Sequence, residues 1–197
     1  MELRERFHGC LLGLAVGDAL GTSLEFSLPG TFEPISDMLG GGPFELQPGQ
    51  WTDDTSMALC LAESLIEKDG FDVRDQMQCY LRWFEEGHLS STGACFDIGA
   101  TVSSALRRFR HDGNPFAGDT DLQAGGNGSL MRLAPVPMAY ANDPDTAIAN
   151  AGVSSHTTHG SPEAVDACCY YAGLIVGALT GESKERLLAS RYRPSNQ

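Results

Sequence analysis

The 197-residue sequence lacks several things at once, and each absence removes a class of protein. Positive charge is scarce: 13 Lys and Arg stand against 26 Asp and Glu, a formal net charge of −13. A chain of that sign does not track a phosphate backbone, so no nucleic-acid partner is expected. The six cysteines (Cys10, Cys60, Cys79, Cys95, Cys168 and Cys169) form no C-x-x-C pair and have no histidine at zinc-finger distance. They read as small buried hydrophobes of a reducing compartment. No basic leader opens the chain: Met1-Glu-Leu-Arg-Glu-Arg6 is balanced in charge, and the apolar residues 10–16 run into Asp18. The longest apolar segment, residues 164–179, contains Asp166 and is short for a spanning helix. A cytoplasmic protein with no membrane partner is the expectation. Strand alternation bounded by hairpin turns is missing as well.

Helical periodicity is what remains. Met57, Leu61 and Leu65 with Ala58, Ala62 and Ile66 form an apolar stripe at i, i+3, i+4 spacing. Val73, Met77, Leu81 and Phe84 form a second, with Gly87 in the place of a C′ residue. Ile98, Val102, Leu106 and Phe109 form a third, with Asp97 where an N-cap would sit. Ser161-Pro162-Glu163 carries the start chemistry of a fourth, running to Thr180 and stopped by Gly181. A first helix over residues 4–20 aligns Gly9, Gly13 and Gly17 on one face, the spacing of a close helix–helix contact. Glycine and proline concentrate between these helices, in residues 29–49, 113–128 and 134–137. The pattern predicts an all-α fold: a compact multi-helix bundle, a single domain over residues 1–197, whose long Gly/Pro-rich loops form the site. The 42% of apolar residues is enough for its core.

Three loop segments carry candidate chemistry. Gln50-Trp51-Thr52-Asp53-Asp54-Thr55-Ser56 brings adjacent carboxylates and three hydroxyls to a helix start. One reading is a simple cap, with Thr52 or Asp53 at the N-cap and the other acid against the helix dipole. The other is a hard-metal site, since two neighbouring carboxylates repel unless a cation lies between them. Gly125-Gly-Asn-Gly-Ser-Leu-Met-Arg132 is a loop whose small residues admit close backbone approach to phosphate oxygens. It is neither a Walker A loop nor a dinucleotide fingerprint. Ser154-Ser-His-Thr-Thr-His159 sets two histidines three apart without a third soft ligand, which favours structural or substrate-positioning histidine over zinc.

The order of these motifs is more specific than any one of them. Gly13-Leu-Ala-Val-Gly-Asp-Ala-Leu-Gly21, Glu25, Trp51-Thr-Asp-Asp-Thr55, Phe96-Asp-Ile-Gly99, Gly126-Asn-Gly-Ser-Leu-Met-Arg132 and Thr158-His159 together resemble the ADP-ribosylglycohydrolase family. The resemblance extends from about Arg6 to about Gly181. It implies an all-α bundle with a binuclear Mg2+ centre, Mn2+ being the alternative, that cleaves the C1″ N- or O-glycosidic bond of ADP-ribosylated side chains. Thr52, Asp53 and Asp54 match the first metal-ligand motif of that family. Glu25 matches an acid near the metals, and Asp97 a carboxylate beside the scissile ribose proposed as acid/base; these two are the implied catalytic pair. Asn127, Gly128 and Ser129 match the loop that receives the diphosphate, while Met131, Arg132 and His159 match cleft-lining positions.

One family feature has no counterpart. The second metal-ligand cluster, of the form Asp-x-Asp-Thr, lies beyond the matched region, and the sequence ends at Gln197 after a polar tail. Asp119-Thr-Asp121 resembles it only superficially, lying just before the Asn127 loop with no helix pattern after it. A domain without the C-terminal helices of the family is therefore expected, either a truncated part of the bundle or one whose missing helices a second chain or an oligomer supplies. The alternative is a non-catalytic relative that binds ADP-ribose or related nucleotides, or serves structurally. In either case the implied partner is ADP-ribose or an ADP-ribosylated protein.

Overall fold

The computed structural model describes residues 2–190 and 192–194. Among the described residues eight α-helices follow one another: α1 (Leu3–Gly21), α2 (Asp53–Glu67), α3 (Val73–Glu86), α4 (Ala100–Asp112), α5 (Pro135–Ala139), α6 (Pro144–His156), α7 (Pro162–Thr180) and α8 (Lys184–Leu187). Among the described residues no sheet forms, and the only strand-like pairings are isolated bridges of Gly41 with Leu46 and Asp119 with His159. The all-α expectation holds.

Local chemistry explains most helix ends. The Asp72 carboxylate accepts the Arg74 and Asp75 N–H groups at the start of α3, and Gly87 ends it at φ 69°. A side chain at Gly87 would run into the Gly93 backbone, so the left-handed turn there requires glycine. The Ser161 hydroxyl accepts the Ala164 N–H, Pro162 opens α7, and Gly181 closes it at φ 95°. The core is shared by the middle helices: Met57 and Leu61 of α2, Met77, Tyr80 and Trp83 of α3, Leu106 of α4, Val136 of α5 and Cys168 of α7 lie in one buried cluster. Each large apolar side chain buried there stabilises the fold by about 1.5–3 kcal/mol. Helix α2 packs against α1, α3 and α5, which fixes the loop at its N-terminus.

The structure departs from the sequence expectations in five places. Residues 134–137 are no loop: Pro135 and Pro137 sit in the first turn of α5, where a missing N–H costs nothing. Helix α6 has no strong apolar stripe because it packs through small residues; a Cβ on Gly152 would meet Cys169 Sγ at 2.9 Å. Close helix contact is thus made at α6 and α7, not on α1, where a Cβ added at Gly9, Gly13 or Gly17 meets nothing within 4 Å. Helix α1 instead leans on α7 through Phe7, Cys10 and Leu14 and leaves Leu12 and Val16 exposed. Asp97 is not an N-cap, because α4 starts at Ala100 with Gly99 in the cap position. Finally, α7 has the length and apolarity to cross a membrane, as has α1 with its following turn. Packing of α7 against α1, α5 and α6 covers part of its apolar surface.

Candidate functional site

The loops before α2, before α4 and before α5 converge on one cavity of about 390 Å3. Asp53 and Asp54 line it from α2, Glu25 and Phe26 from the turn after α1, and Asp97 from the loop before α4. Gly126, Asn127, Gly128, Met131 and His159 form the opposite wall. An aromatic chain ties the two acidic loops together: Phe44 lies edge-on to Phe26 at 6.4 Å and to Phe96 at 5.4 Å. Phe26 and Asp97 both hold left-handed backbones, at φ 60° and 57°, a strained state for non-glycine residues that the surrounding loops maintain. Thr52 is buried and faces an adjoining cavity of about 300 Å3 shared with Asp18, Glu25 and Asp54.

Asp18, which sequence reasoning gave no role, organises the start of α2 from another helix. Its carboxylate accepts the Thr52 N–H at 3.0 Å, the Thr52 hydroxyl at 2.9 Å, the Thr55 N–H at 3.1 Å and the Thr55 hydroxyl at 2.7 Å. Thr52 occupies the N-cap position of α2 but makes no side-chain cap itself. A carboxylate only accepts, so the Thr52 hydroxyl spends its proton on Asp18 and keeps lone pairs for another ligand. The one sequence signal for Asp18 is that it is the sole acid in an otherwise apolar and glycine-bearing stretch, residues 9–22.

Three carboxylates of this cavity, those of Asp53, Asp54 and Asp97, bind protons unusually well. Asp53 is raised to about 8 by burial, then by the charges of Asp54, Asp97 and Asp18. Asp54 is raised to about 6 by burial and Asp18. Asp97 is raised to about 7 by burial and by Glu25, whose carboxyl it contacts. Crowded anionic oxygens that prefer a bound proton also prefer a bound cation, and hydroxyl and carboxylate oxygens are the donors of hard divalent ions. Among the described residues, however, no three Asp, Glu, His or Cys side chains converge as a metal cage. Thr52, Asp53 and Asp54 fit part of a hard-cation shell. Asp119 is elsewhere, its carbonyl accepting the Gly160 N–H at 2.8 Å in the loop bridge.

The glycine loop is tighter than its composition suggests. Its Asn127 carbonyl accepts the Leu130 and Met131 N–H groups at 2.8 and 3.0 Å, closing a turn. A Cβ on Gly128 would meet His159 Cε1 at 2.8 Å and Val102 Cγ2 at 3.0 Å, so the glycine permits the approach of the imidazole. His159 is 2% exposed, its Nδ1 lies 2.9 Å from Thr158 Oγ1, and burial followed by Arg132 lowers its pKa to about 4. The ring is neutral at ordinary pH. His156, by contrast, is exposed at the end of α6, so the two histidines do not form a pair.

Two expected cleft residues lie behind the wall instead. The Ser129 hydroxyl is buried and accepts from Ser155 Oγ at 2.9 Å and Cys168 Sγ at 3.4 Å. Arg132 is fully buried: it donates to the Gly128 carbonyl at 3.1 Å and to Thr157 Oγ1 at 3.1 Å, and lies over the Tyr80 ring at 4.5 Å. Neither side chain lines the cavity, because the apolar core lies directly beneath the turn.

Fold and cleft define the class: an all-α protein whose loops meet in one acidic cavity walled by a glycine turn. The ADP-ribosylglycohydrolase family model matches residues 1–194, and the chain belongs to that family. It is 39% identical to ADP-ribosylarginine hydrolase Tri1 of Serratia proteamaculans, over 98% of this chain and 52% of the relative. It is 42% identical to the Tri1 protein of the same description from Pseudomonas putida, over 96% of this chain and 51% of the relative. The ADP-ribosyl-[dinitrogen reductase] glycohydrolase of Rhodospirillum rubrum is 35% identical over 91% of this chain and 60% of its own. A solved structure described as an ADP-ribosylglycohydrolase-related protein complex superposes with a TM-score of 0.84 at 49% identity, covering 95% of this chain and 61% of that one. The chain thus spans about half the length of the two Tri1 relatives.

Proposed function

We propose that this chain contributes the ADP-ribose-binding cleft and one side of the cation site of an ADP-ribosyl glycohydrolase acting on ADP-ribosylated protein side chains, arginine among them. The observation that carries this reading is the meeting of Asp53, Asp54, Asp97 and Glu25 with the Gly126–Gly128 turn in one cavity. Cleavage of a C1″ glycosidic bond passes through an oxocarbenium-like state and needs a proton donor at the leaving atom and an oriented water. Asp97 retains a proton near neutrality and is suited to protonate the leaving nitrogen or oxygen. Glu25, in contact with it, is suited to orient the water and receive its proton. Thr52, Asp53 and Asp54 would hold Mg2+ or Mn2+, which supplies Lewis-acid polarisation and a grip on ribose hydroxyls. Asn127 and the main chain of Gly128 and Ser129 receive the diphosphate, and Met131 and His159 close the wall beside it.

A second reading is binding without turnover, and the lack of three converging acidic ligands among the described residues favours it. One experiment separates the two: calorimetry with ADP-ribose, followed by turnover of an ADP-ribosylarginine peptide in Mg2+. Binding with turnover that Asp97→Asn abolishes supports hydrolysis. Binding with no turnover supports the second reading, and absence of ADP-ribose binding removes both.

A further inference from the structure

Arg132 is an anomaly in an acidic protein. It is fully buried, yet among the described residues no carboxylate pairs with it. Its Nη2 donates to Ser154 O and Thr157 Oγ1, its plane rests on Tyr80, and its Nε has no partner at all. Burying a cation against neutral dipoles alone is costly, so a compensating anion is chemically overdue. The remaining contact shows where that anion belongs. Nη1 draws the Gly128 carbonyl inward at 3.1 Å, and with no cis peptide present the Ser129 N–H must point the opposite way, away from the guanidinium. Among the described residues neither the Gly128 nor the Ser129 N–H has a backbone acceptor, and Gly128 itself lines the cavity.

We infer that Arg132 is a positioning residue for the diphosphate of ADP-ribose: it orients the Gly128–Ser129 peptide and supplies, from behind the loop, the positive potential that the acidic cleft otherwise lacks. The inference rests on the reading of the cleft as an ADP-ribose site. It assigns Arg132 no contact with the ligand. Its charge acts across one peptide thickness in a medium that screens it far less than water.

The test compares Arg132→Lys, which keeps the charge, with Arg132→Gln, which keeps a donor and loses the charge. Calorimetry is run on the whole chain with ADP-ribose and with adenosine, which carries no phosphate. Arg132→Gln is expected to weaken ADP-ribose by about tenfold or more while adenosine changes less than about twofold, and Arg132→Lys is expected to preserve the preference. A merely structural role moves Lys and Gln alike, or both ligands alike, and either result overturns the inference while leaving the cleft assignment standing. Loss of ADP-ribose binding in the unaltered chain overturns both. A second readout is NMR titration of His159 in Arg132→Gln: a rise supports a guanidinium field that reaches the cavity, and an unchanged value overturns it.

Discussion

Asp18 caps helix α2 through Thr52, although the two residues belong to different helices and stand 34 positions apart. A cap is ordinarily a local device, one side chain serving the helix that follows it. Here the acceptor comes from α1, which leaves the hydroxyl and carboxylates of residues 52–54 facing the cavities. Asp18→Ala removes the acceptor of two amides and two hydroxyls. It is expected to destabilise the chain by about 1–3 kcal/mol in urea denaturation and to weaken Mn2+ binding, read by calorimetry. Unchanged Mn2+ affinity would separate the cap from the cation site.

Asp53 makes the opposite kind of prediction. Its folded pKa of about 8 lies above the ordinary 3.8, so its contribution to stability is fully present below about pH 4 and is lost as pH rises through 8. Metal-free chain is therefore expected to melt at lower temperature at pH 8 than at pH 5, and saturating Mg2+ to raise Tm more at pH 8. Asp53→Asn should lift the metal-free Tm at pH 8 by a few degrees and erase the Mg2+ response, as followed by circular dichroism.

His159 titrates in the reverse sense. Its folded pKa of about 4 lies below the ordinary 6.5, so the stability of the neutral ring is full above pH 6.5 and declines as pH falls toward 4. The loss amounts to ~3 kcal/mol across that window. Denaturation of His159→Gln at a series of pH values should lack this component, and a profile parallel to that of the unaltered chain would show that folding does not move the histidine's pKa.

Gly128→Ala tests the tightness of the glycine turn. Its new methyl group meets His159 Cε1 at 2.8 Å and Val102 Cγ2 at 3.0 Å, neither on a freely moving chain end. A destabilisation of about 1–3 kcal/mol is expected, with weaker ADP-ribose binding in the same preparation. Gly13→Ala, placed inside α1 where a Cβ meets nothing, should raise stability by about 0.5–1 kcal/mol and leave ADP-ribose binding unchanged.

Local chemistry made much of the fold legible. Gly87 and Ser161 mark helix ends because a left-handed turn and a capping hydroxyl act within a few residues of themselves. The ordered motifs also located Asp53, Asp54, Asp97 and His159, which do meet around one cavity. Asp18 stayed hidden because its partners are remote in sequence, and α6 because small-residue packing leaves no apolar stripe. Ser129 and Arg132 were legible as members of the loop but not in their direction: a motif fixes neighbours along the chain, whereas the core beneath the turn decides which side chains point inward.

Helix α1 touches the bundle along a narrow edge, and of its 19 residues only Ala19 is fully buried. An element held so lightly opens at lower cost than the core, and its amides should exchange with solvent before those of α3 or α7. Since Asp18 travels with α1, each such opening also releases the acceptor that organises Thr52 and Thr55. The acidic cleft is therefore only as durable as a lightly anchored helix, and whatever settles on the open face of α1 tightens the cleft without touching it.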